Sequence, residues 1–286
     1  AHTSTFAQAT AAQYLKAGRM PGTLAHVRKV YAERAQAMGD ALRKELGDAI
    51  EFVQPQGGLF VWARLTGVGG KVQDGNVLAK PTRKARELAL RHMATLYALD
   101  LGNPIFRALR RLWPLNEAAQ PLLALAVALA RDPLLRGTQA FILGQAAGAV
   151  VPREAMEGFL NSSHADRFSP ASLKSFAQNV AGTWTAAGFL HGRVRKTRAL
   201  VQPQAESVTL LLFLSYLEGR TGQRLFSSDW MNLVGCSPDE VEALANSAAH
   251  RGLMVFMNAG GVKEVRFPGY LTPEEEHIRL ELSHVI

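Results

Sequence analysis

The sequence predicts a mainly α-helical protein that begins with a short α+β segment. Three observations support this fold class. After Pro81, apolar residues recur at intervals of three and four, as they do in amphipathic helices. Between Ile50 and Leu65, β-branched and aromatic residues flank a Pro-Gln-Gly-Gly sequence, which is typical of two strands joined by a tight turn. The chain has 286 residues, 48% of them hydrophobic, which is enough for more than one domain.

Two helices are expected before the strands, over residues 5–17 and 23–46. The phrases HTSTFAQATAAQYL, HVRKVYAERAQAMGDAL and PQGGLFVWARL in this part resemble the fold-type I pyridoxal-phosphate aminotransferases, in the 2-aminoadipate and MocR-like branch. The resemblance covers residues 1–80. It implies a fragment that runs from the end of the large domain into the small domain.

This resemblance also implies that the chain is not an enzyme. In the family, the lysine that forms the Schiff base lies upstream of the matched stretch, and the arginine that binds the substrate carboxylate lies downstream. We therefore expect no catalytic residue, no cofactor and no metal. The aminotransferase phrases stop after DGNVLAK and the chain lacks an initiator Met, so we expect a truncated or fused reading frame.

Residues 81–132 are predicted to form a helical lead-in. Asn103 as N-cap and Pro104 at the first helical position mark the start of one helix, which Pro114 ends. Its outer side carries three arginines, which either face solvent or contact phosphate: Arg107, Arg110 and Arg111.

Residues 133–202 have the signals of a basic winged helix-turn-helix unit, with three helices followed by a hairpin. One helix is expected over PLLRGTQAFILGQAAG and a second over VPREAMEGFLNSS. In the third, Ser169 is the predicted N-cap and Gly188 ends the helix. The apolar stripe expected to face the core consists of Leu173, Phe176, Ala177, Val180, Trp184 and Ala187.

The opposite face of the third helix carries small and amide side chains. These suit close entry into a DNA major groove, where Gln and Asn can pair with adenine. The following stretch, FLHGRVRKTRALVQ, supplies basic side chains that would contact phosphates as a wing does. The predicted DNA-binding residues are Lys174, Ser175, Gln178, Asn179, His191, Arg193, Arg195, Lys196 and Arg198.

Residues 203–270 are predicted to repeat this topology with a different sequence. Ser237 and Glu240 form a predicted capping box at the third helix, and the hairpin turn is placed at residues 258–261. Residues 201–286 carry a net charge of −5, whereas residues 131–200 carry +5. We therefore expect the second unit to pack or to bind protein. Residues 271–286 are assigned to a C-terminal tail.

Two winged-helix units after a helical lead-in, with SPASLKSFAQNVAGTWTAAGFLHGR between them, resemble the BrxA (DUF1819) family of BREX phage-defence systems. The resemblance covers residues 81–270 and implies a small, non-enzymatic protein that binds double-stranded DNA. We expect a cytoplasmic accessory protein with protein partners in a defence complex. Two alternatives stay open: a protein-binding scaffold built on winged helices, and an aminotransferase relative that is inactive as this fragment.

Other classes are disfavoured by composition. A single cysteine, Cys236, excludes an internal disulfide framework and a cysteine-based zinc site. The longest apolar runs, 121–130 and 208–214, are shorter than the ~20 residues that span a bilayer, so no membrane partner is expected. No secretory signal, phosphate-binding loop or His-Glu-x-x-His motif is found.

Overall fold

The computed structural model of the protein describes residues 13, 16, 18, 20–46, 50–52, 63–65, 75–165 and 167–283. The chain divides into two units, Ala1–Arg91 and His92–Ile286. The boundary falls within helix α2 (Arg83–Tyr97). The finer division into five segments stays a prediction.

The first unit contains one long helix and a strand pair. Helix α1 spans Met20–Leu46, which includes the predicted helix at 23–46. Strands β1 (Ile50–Phe52) and β2 (Ala63–Leu65) pair antiparallel, with Ile50 opposite Leu65. The two predicted strands are therefore present. The Pro-Gln-Gly-Gly turn and most of the predicted helix at 5–17 lie outside the described residues.

The second unit begins with helices that match the predicted lead-in. Helix α3 (Pro104–Leu112) starts where expected, because the Asn103 side chain accepts a hydrogen bond from the Ile105 N–H at 3.0 Å. Pro104 occupies its first turn. Two 3₁₀ turns follow, at Trp113–Leu115 and Glu117–Ala119, and lead into α4 (Gln120–Arg131).

The middle of this unit combines helices with a three-stranded sheet. The prediction of a single helix over PLLRGTQAFILGQAAG is wrong. The helix is interrupted at Thr138, and a short strand, β3, follows the second helical piece. The elements are α5 (Pro133–Gly137), α6 (Gln139–Leu143), β3 (Val150–Val151), α7 (Arg153–Ser163), α8 (Pro170–Ala186), β4 (Leu190–His191) and β5 (Lys196–Arg198). Strand β5 lies between β3 and β4 and pairs antiparallel with both.

Thr138 explains the break between α5 and α6. Its side chain is fully buried, and its hydroxyl donates to the Leu135 carbonyl at 2.7 Å. The same oxygen accepts a hydrogen bond from Trp184 Nε1 at 2.9 Å. A threonine that serves the core in this way favours a turn over a continuous helix.

The last part of the chain is again helical, with one hairpin. Its elements are α9 (Ala205–Leu217), α10 (Gln223–Phe226), a 3₁₀ helix (Asp229–Leu233), α11 (Pro238–His250), β6 (Val255–Ala259), β7 (Val262–Arg266) and α12 (Pro273–Ser283). The capping box of Ser237 and Glu240 is confirmed. The hairpin turn is Gly260–Gly261, and both glycines have positive φ (59° and 84°), as a two-residue turn between twisted strands requires. Helix α12 occupies most of the predicted tail.

One hydrophobic core serves the second unit. Its buried apolar side chains run from Ala108 to Tyr270 along the chain. Every residue of α9 except Leu217 is buried, as expected for a helix whose apolar residues are spread around its whole circumference. Helix α9 packs against α11, α4 and α3. The segments 133–202 and 203–270 therefore share a core.

Among the described helices, none is by itself long and apolar enough to cross a bilayer. Glu117–Arg131 and Pro133–Leu143 reach that length only as a pair, and the pair is bent by 105°.

Candidate nucleic-acid interface

Helix α8 presents one face to the core and the other to solvent. Its N-terminus is capped by Ser169, whose hydroxyl accepts a hydrogen bond from the Ser172 N–H at 3.3 Å. The predicted apolar stripe is confirmed: Ala177, Val180, Trp184 and Ala187 are buried, and Leu173 and Phe176 are half-buried. The helix is therefore held in one rotation about its own axis.

The outward face of α8 is the one predicted to meet DNA. Lys174, Ser175, Gln178 and Asn179 are all exposed on it. Gly182, one turn after Gln178, is exposed on the same helix. This face offers an amide pair, a hydroxyl and one cation, with small residues that let another molecule approach the helix closely.

Strands β4 and β5 are joined by residues 192–195, which we call the basic loop. Gly192 has φ of +98°, and a Cβ at this position would lie 2.1 Å from the Arg195 carbonyl oxygen. The turn therefore requires glycine. Lys196 Nζ donates to the Gly192 carbonyl at 2.7 Å, which closes the loop from the other side. The loop is short and held by its own contacts.

The basic loop places two arginines in solvent. Arg193 and Arg195 are exposed, and neither has a hydrogen-bond or ion-pair partner among the described residues. Between them, Val194 is 94% exposed. His191, at the end of β4, is exposed as well. Since no described residue occupies these two guanidinium groups, they can bind an anion.

Arg198 corrects the sequence prediction. It is only 8% exposed, and its guanidinium donates to the carbonyls of Ile142 (3.0 Å), Phe189 (3.4 Å) and Ala199. The group also lies over the Phe189 ring, 5.2 Å from its centroid, and burial lowers its pKa. The predicted phosphate contact is therefore wrong for Arg198. It fastens β5 to the end of α6 and to the residues after α8.

A groove lies between α8 and the basic loop, with a cavity volume of about 720 Å³. We call it the basic groove. Its walls include Gln178, Ala181 and Gly182 from α8, and Arg193, Arg195 and Lys196 from the loop and β5. The structure thus brings four of the predicted residues together around one cavity. Lys174, Ser175, Asn179 and His191 are exposed but do not line it, and Arg198 is buried and does not line it either.

The third wall of the basic groove carries a cation that the sequence prediction missed. Arg153 and Glu154, at the start of α7, line this side. Arg153 pairs with Glu154 at 2.9 Å and with Glu157 at 2.8 Å, so its charge is largely offset. A basic residue that is followed by two acidic residues within one helical turn gives no sequence signal for an anion site. Among the described residues, no carboxylate pairs with Arg193, Arg195 or Lys196, so these three side chains supply the uncompensated positive charge of the groove.

Two arginines of the lead-in have internal partners. Arg107 pairs with Glu275 and donates to the Tyr270 carbonyl at 3.3 Å. Arg111 donates to the Pro268 carbonyl at 3.0 Å and lies over the Tyr270 ring. These two arginines hold the segment that leads into α12. From the sequence, only solvent exposure or phosphate contact is expected for them.

The acidic groups of the last segment also have local roles. Glu242 accepts a hydrogen bond from Asn258 Nδ2 at 2.9 Å and pairs with Lys263, whose hydrogen bond lowers the pKa of the Glu242 carboxyl. Glu240 completes the capping box, and its hydrogen bonds from Ser237 lower its pKa. These carboxylates stabilise α11 and the β6–β7 hairpin.

A second cavity, of about 750 Å³, is lined by residues that include Arg136, Gln139, Asp229 and Cys236. Arg136 is engaged with Glu218 at 2.9 Å and lies over the Trp230 ring. Burial raises the pKa of the Cys236 thiol, which disfavours its thiolate form. The described part of the chain contains no group of three His, Cys, Asp or Glu side chains arranged to hold a metal ion.

Two curated proteins are similar to a segment of this chain. Over 79 residues it is 33% identical to aromatic-amino-acid aminotransferase 1 of Thermococcus litoralis, a match that covers 27% of this chain and 19% of that protein. Over 64 residues it is 41% identical to 2-aminoadipate transaminase of Thermus thermophilus, with 22% and 16% covered. The chain thus spans less than a fifth of the length of these relatives. No protein-family model matches the chain, and no solved structure matches it significantly.

These similarities support the aminotransferase-like character of a segment of the chain. Neither relative is named as a DNA-binding protein, so DNA binding by the helical unit from His92 onward stays a prediction. The resemblance to BrxA stays a prediction.

Proposed function

We propose that this chain is a non-enzymatic DNA-binding accessory protein that holds duplex DNA with α8 and the basic loop. The observation that carries the proposal is the placement of two arginines, which have no partner in the described part of the chain, beside the outward face of a capped helix. An interface of this kind combines phosphate contacts, which position the protein, with side chains that reach base edges.

The order of elements supports a winged helix-turn-helix reading of residues 133–202. Helix α6 is followed by β3, then α7 and α8, then β4 and β5, with β5 in the middle of the sheet. In such a unit the third helix enters the major groove and the hairpin loop is the wing. Here α8 and the basic loop take these places.

Within this arrangement the exposed side chains divide by role. Ser175, Gln178 and Asn179 meet base edges, where the amides of Gln and Asn can pair with adenine. Lys174, Arg193 and Arg195 contact phosphates and release counterions. Arg198 takes no part in binding, because it is only 8% exposed and its Nε and Nη1 groups donate to backbone carbonyls.

The biological setting is proposed from the sequence. The resemblance of residues 81–270 to BrxA supports a role beside other proteins of a BREX-like phage-defence complex in the cytoplasm. The aminotransferase names belong to the two relatives, and we do not carry their activity to this chain.

The test is the salt dependence of duplex binding by a double variant, Arg193→Ala with Arg195→Ala. Each phosphate contact contributes about 0.9 to the slope of log affinity against log salt, so the variant should bind more weakly and its slope should fall by about 2. Fluorescence anisotropy with a labelled duplex of mixed sequence measures both quantities. The matched control is Arg91→Ala with Arg224→Ala. Both arginines are exposed and lie outside the basic groove, and their substitution removes the same amount of positive charge.

Two results would reject the proposal. One is the absence of duplex binding by the unmodified protein at low salt. The other is an unchanged slope in the Arg193 and Arg195 variant. A protein partner whose capture survives nuclease treatment and needs the same two arginines would instead favour the scaffold alternative.

A further inference from the structure

We propose that one sugar-phosphate strand of the duplex lies in the basic groove, and that Gly182 is the point where this strand comes closest to α8. The inference rests on the proposed function and assigns a positioning role to a residue without a side chain.

Gly182 is not required by the packing of the protein. It lies in the interior of α8 with helical backbone geometry and is exposed. A Cβ built on it would have no heavy atom of the described structure within 4 Å. A glycine inside a helix is unfavourable, because the unfolded chain has more backbone freedom to lose. The helix is therefore weakened at a position where the fold itself would accept a side chain.

The surroundings of Gly182 suit a phosphodiester strand. Gly182 and Ala181, which have small side chains or none, line the groove, and Gln178 lies one helical turn earlier. On the opposite side stand Arg193 and Arg195, which have no partner among the described residues. A strand between these walls would meet cationic donors on one side and bare helix backbone on the other. Glycine is the residue that permits such close backbone approach.

Gly158 provides a matched control within the same unit. It lies in the interior of α7, is exposed, and would also accept a Cβ with no heavy atom within 4 Å. It does not line the basic groove. The two glycines therefore have the same effect on helix stability but differ in their position relative to the proposed strand.

The experiment compares Gly182→Ala and Gly182→Leu with Gly158→Ala and Gly158→Leu. Both alanine variants should raise the Tm, by about 1–4 °C for a protein of this size. Gly182→Leu should weaken binding of a labelled mixed-sequence duplex by about tenfold, comparable to the loss of one good contact, and Gly182→Ala by less. Both Gly158 variants should bind like the unmodified protein. Thermal unfolding and fluorescence anisotropy give the two readouts.

The outcomes separate this inference from the proposed function. If Gly182→Leu keeps a normal Tm and full affinity while the Arg193 and Arg195 variant loses affinity, the strand path is wrong and the proposed function stands. If Gly182→Leu unfolds, Gly182→Ala decides by the same comparison. If the unmodified protein binds no duplex, both fail. Preference for a single strand of the same sequence over the duplex overturns the duplex assignment.

Discussion

Arg195 and Arg198 lie three residues apart and have opposite environments. Arg195 is exposed on the basic loop without a partner among the described residues. Arg198 is buried, and its guanidinium donates to three backbone carbonyls. The difference arises because β5, which contains Arg198, is the central strand between β3 and β4. In this position the Arg198 side chain reaches the Ile142 carbonyl near the end of α6. A buried guanidinium whose Nε and Nη1 groups donate to backbone carbonyls stabilises the fold.

We expect Arg198→Met to destabilise the protein by about 2–4 kcal/mol, because it removes three hydrogen bonds from a buried charged donor while keeping most of the side-chain volume. Arg195→Met should leave the free energy of unfolding unchanged within about 0.5 kcal/mol. Denaturant unfolding measures both. The order should reverse for DNA: Arg195→Met lowers the salt slope of binding, and Arg198→Met leaves it unchanged. Equal effects of the two variants on stability would contradict this division.

At the scale of elements, α12 is attached to the rest of its unit by polar contacts. Tyr216, at the end of α9, donates its hydroxyl to Glu276 of α12. Arg279 pairs with the same carboxylate at 3.1 Å and lies over the Tyr216 ring, 3.7 Å from its centroid. Arg107 of α3 pairs with Glu275. Helix α12 is therefore held at both Glu275 and Glu276.

The Tyr216 contact makes stability sensitive to alkaline pH. Burial, and to a lesser extent the hydrogen bond to Glu276, raises the pKa of Tyr216 to about 12. In the unfolded chain the pKa of a tyrosine is about 10. The stability from this group is present below about pH 10 and is lost as pH rises towards about 12. Burial raises the pKa of Tyr270 to about 12 as well.

We therefore expect the free energy of unfolding to fall over this alkaline range, and to fall less steeply in Tyr216→Phe. Urea unfolding at a series of pH values measures the slope. The comparison uses slopes alone, since the variant also loses its hydrogen bond at neutral pH. The same slope in both proteins would show that Tyr216 ionisation is not coupled to folding.

At the scale of the whole second unit, α9 is the helix at the centre of the hydrophobic core. Its apolar side chains belong to the cluster that also holds Trp184 of α8 and Trp230 of the following 3₁₀ helix. Because one core serves both segments, the position of the outward face of α8 depends on residues far along the chain. The segments 133–202 and 203–270 should therefore unfold together.

Leu211→Ala tests this cooperation. Leu211 is fully buried in α9, and truncating a buried leucine costs about 2–5 kcal/mol. Hydrogen exchange should show that amide protection falls by the same factor in α8 and in α11. Leu200→Ala, at a position 68% exposed, is the control and should change neither. Loss of protection confined to α11 would mean that the two segments fold independently.

Local sequence signals determined most of the elements of this protein. The cap at Asn103, the cap at Ser169 and the capping box at Ser237 and Glu240 each lie where the residues placed them, because these contacts involve neighbours two or three residues apart. The buried stripe of α8 followed from helical periodicity for the same reason. Exposure of the outward face, with Gln178 and Asn179, was predicted with it.

Only the tertiary structure decided which basic residues are free. Burial of Arg198, the internal pairs of Arg107 and Arg111, and the strand β3 all depend on partners that are distant in sequence or on a sheet whose strands are two or three residues long. Such contacts leave no periodic signal in the sequence. The residue type alone does not specify whether a charged side chain contacts solvent, a backbone carbonyl or an anion. The basic groove itself exists because the shared core fixes α8 beside the loop, and a cavity between elements has no counterpart in the order of residues.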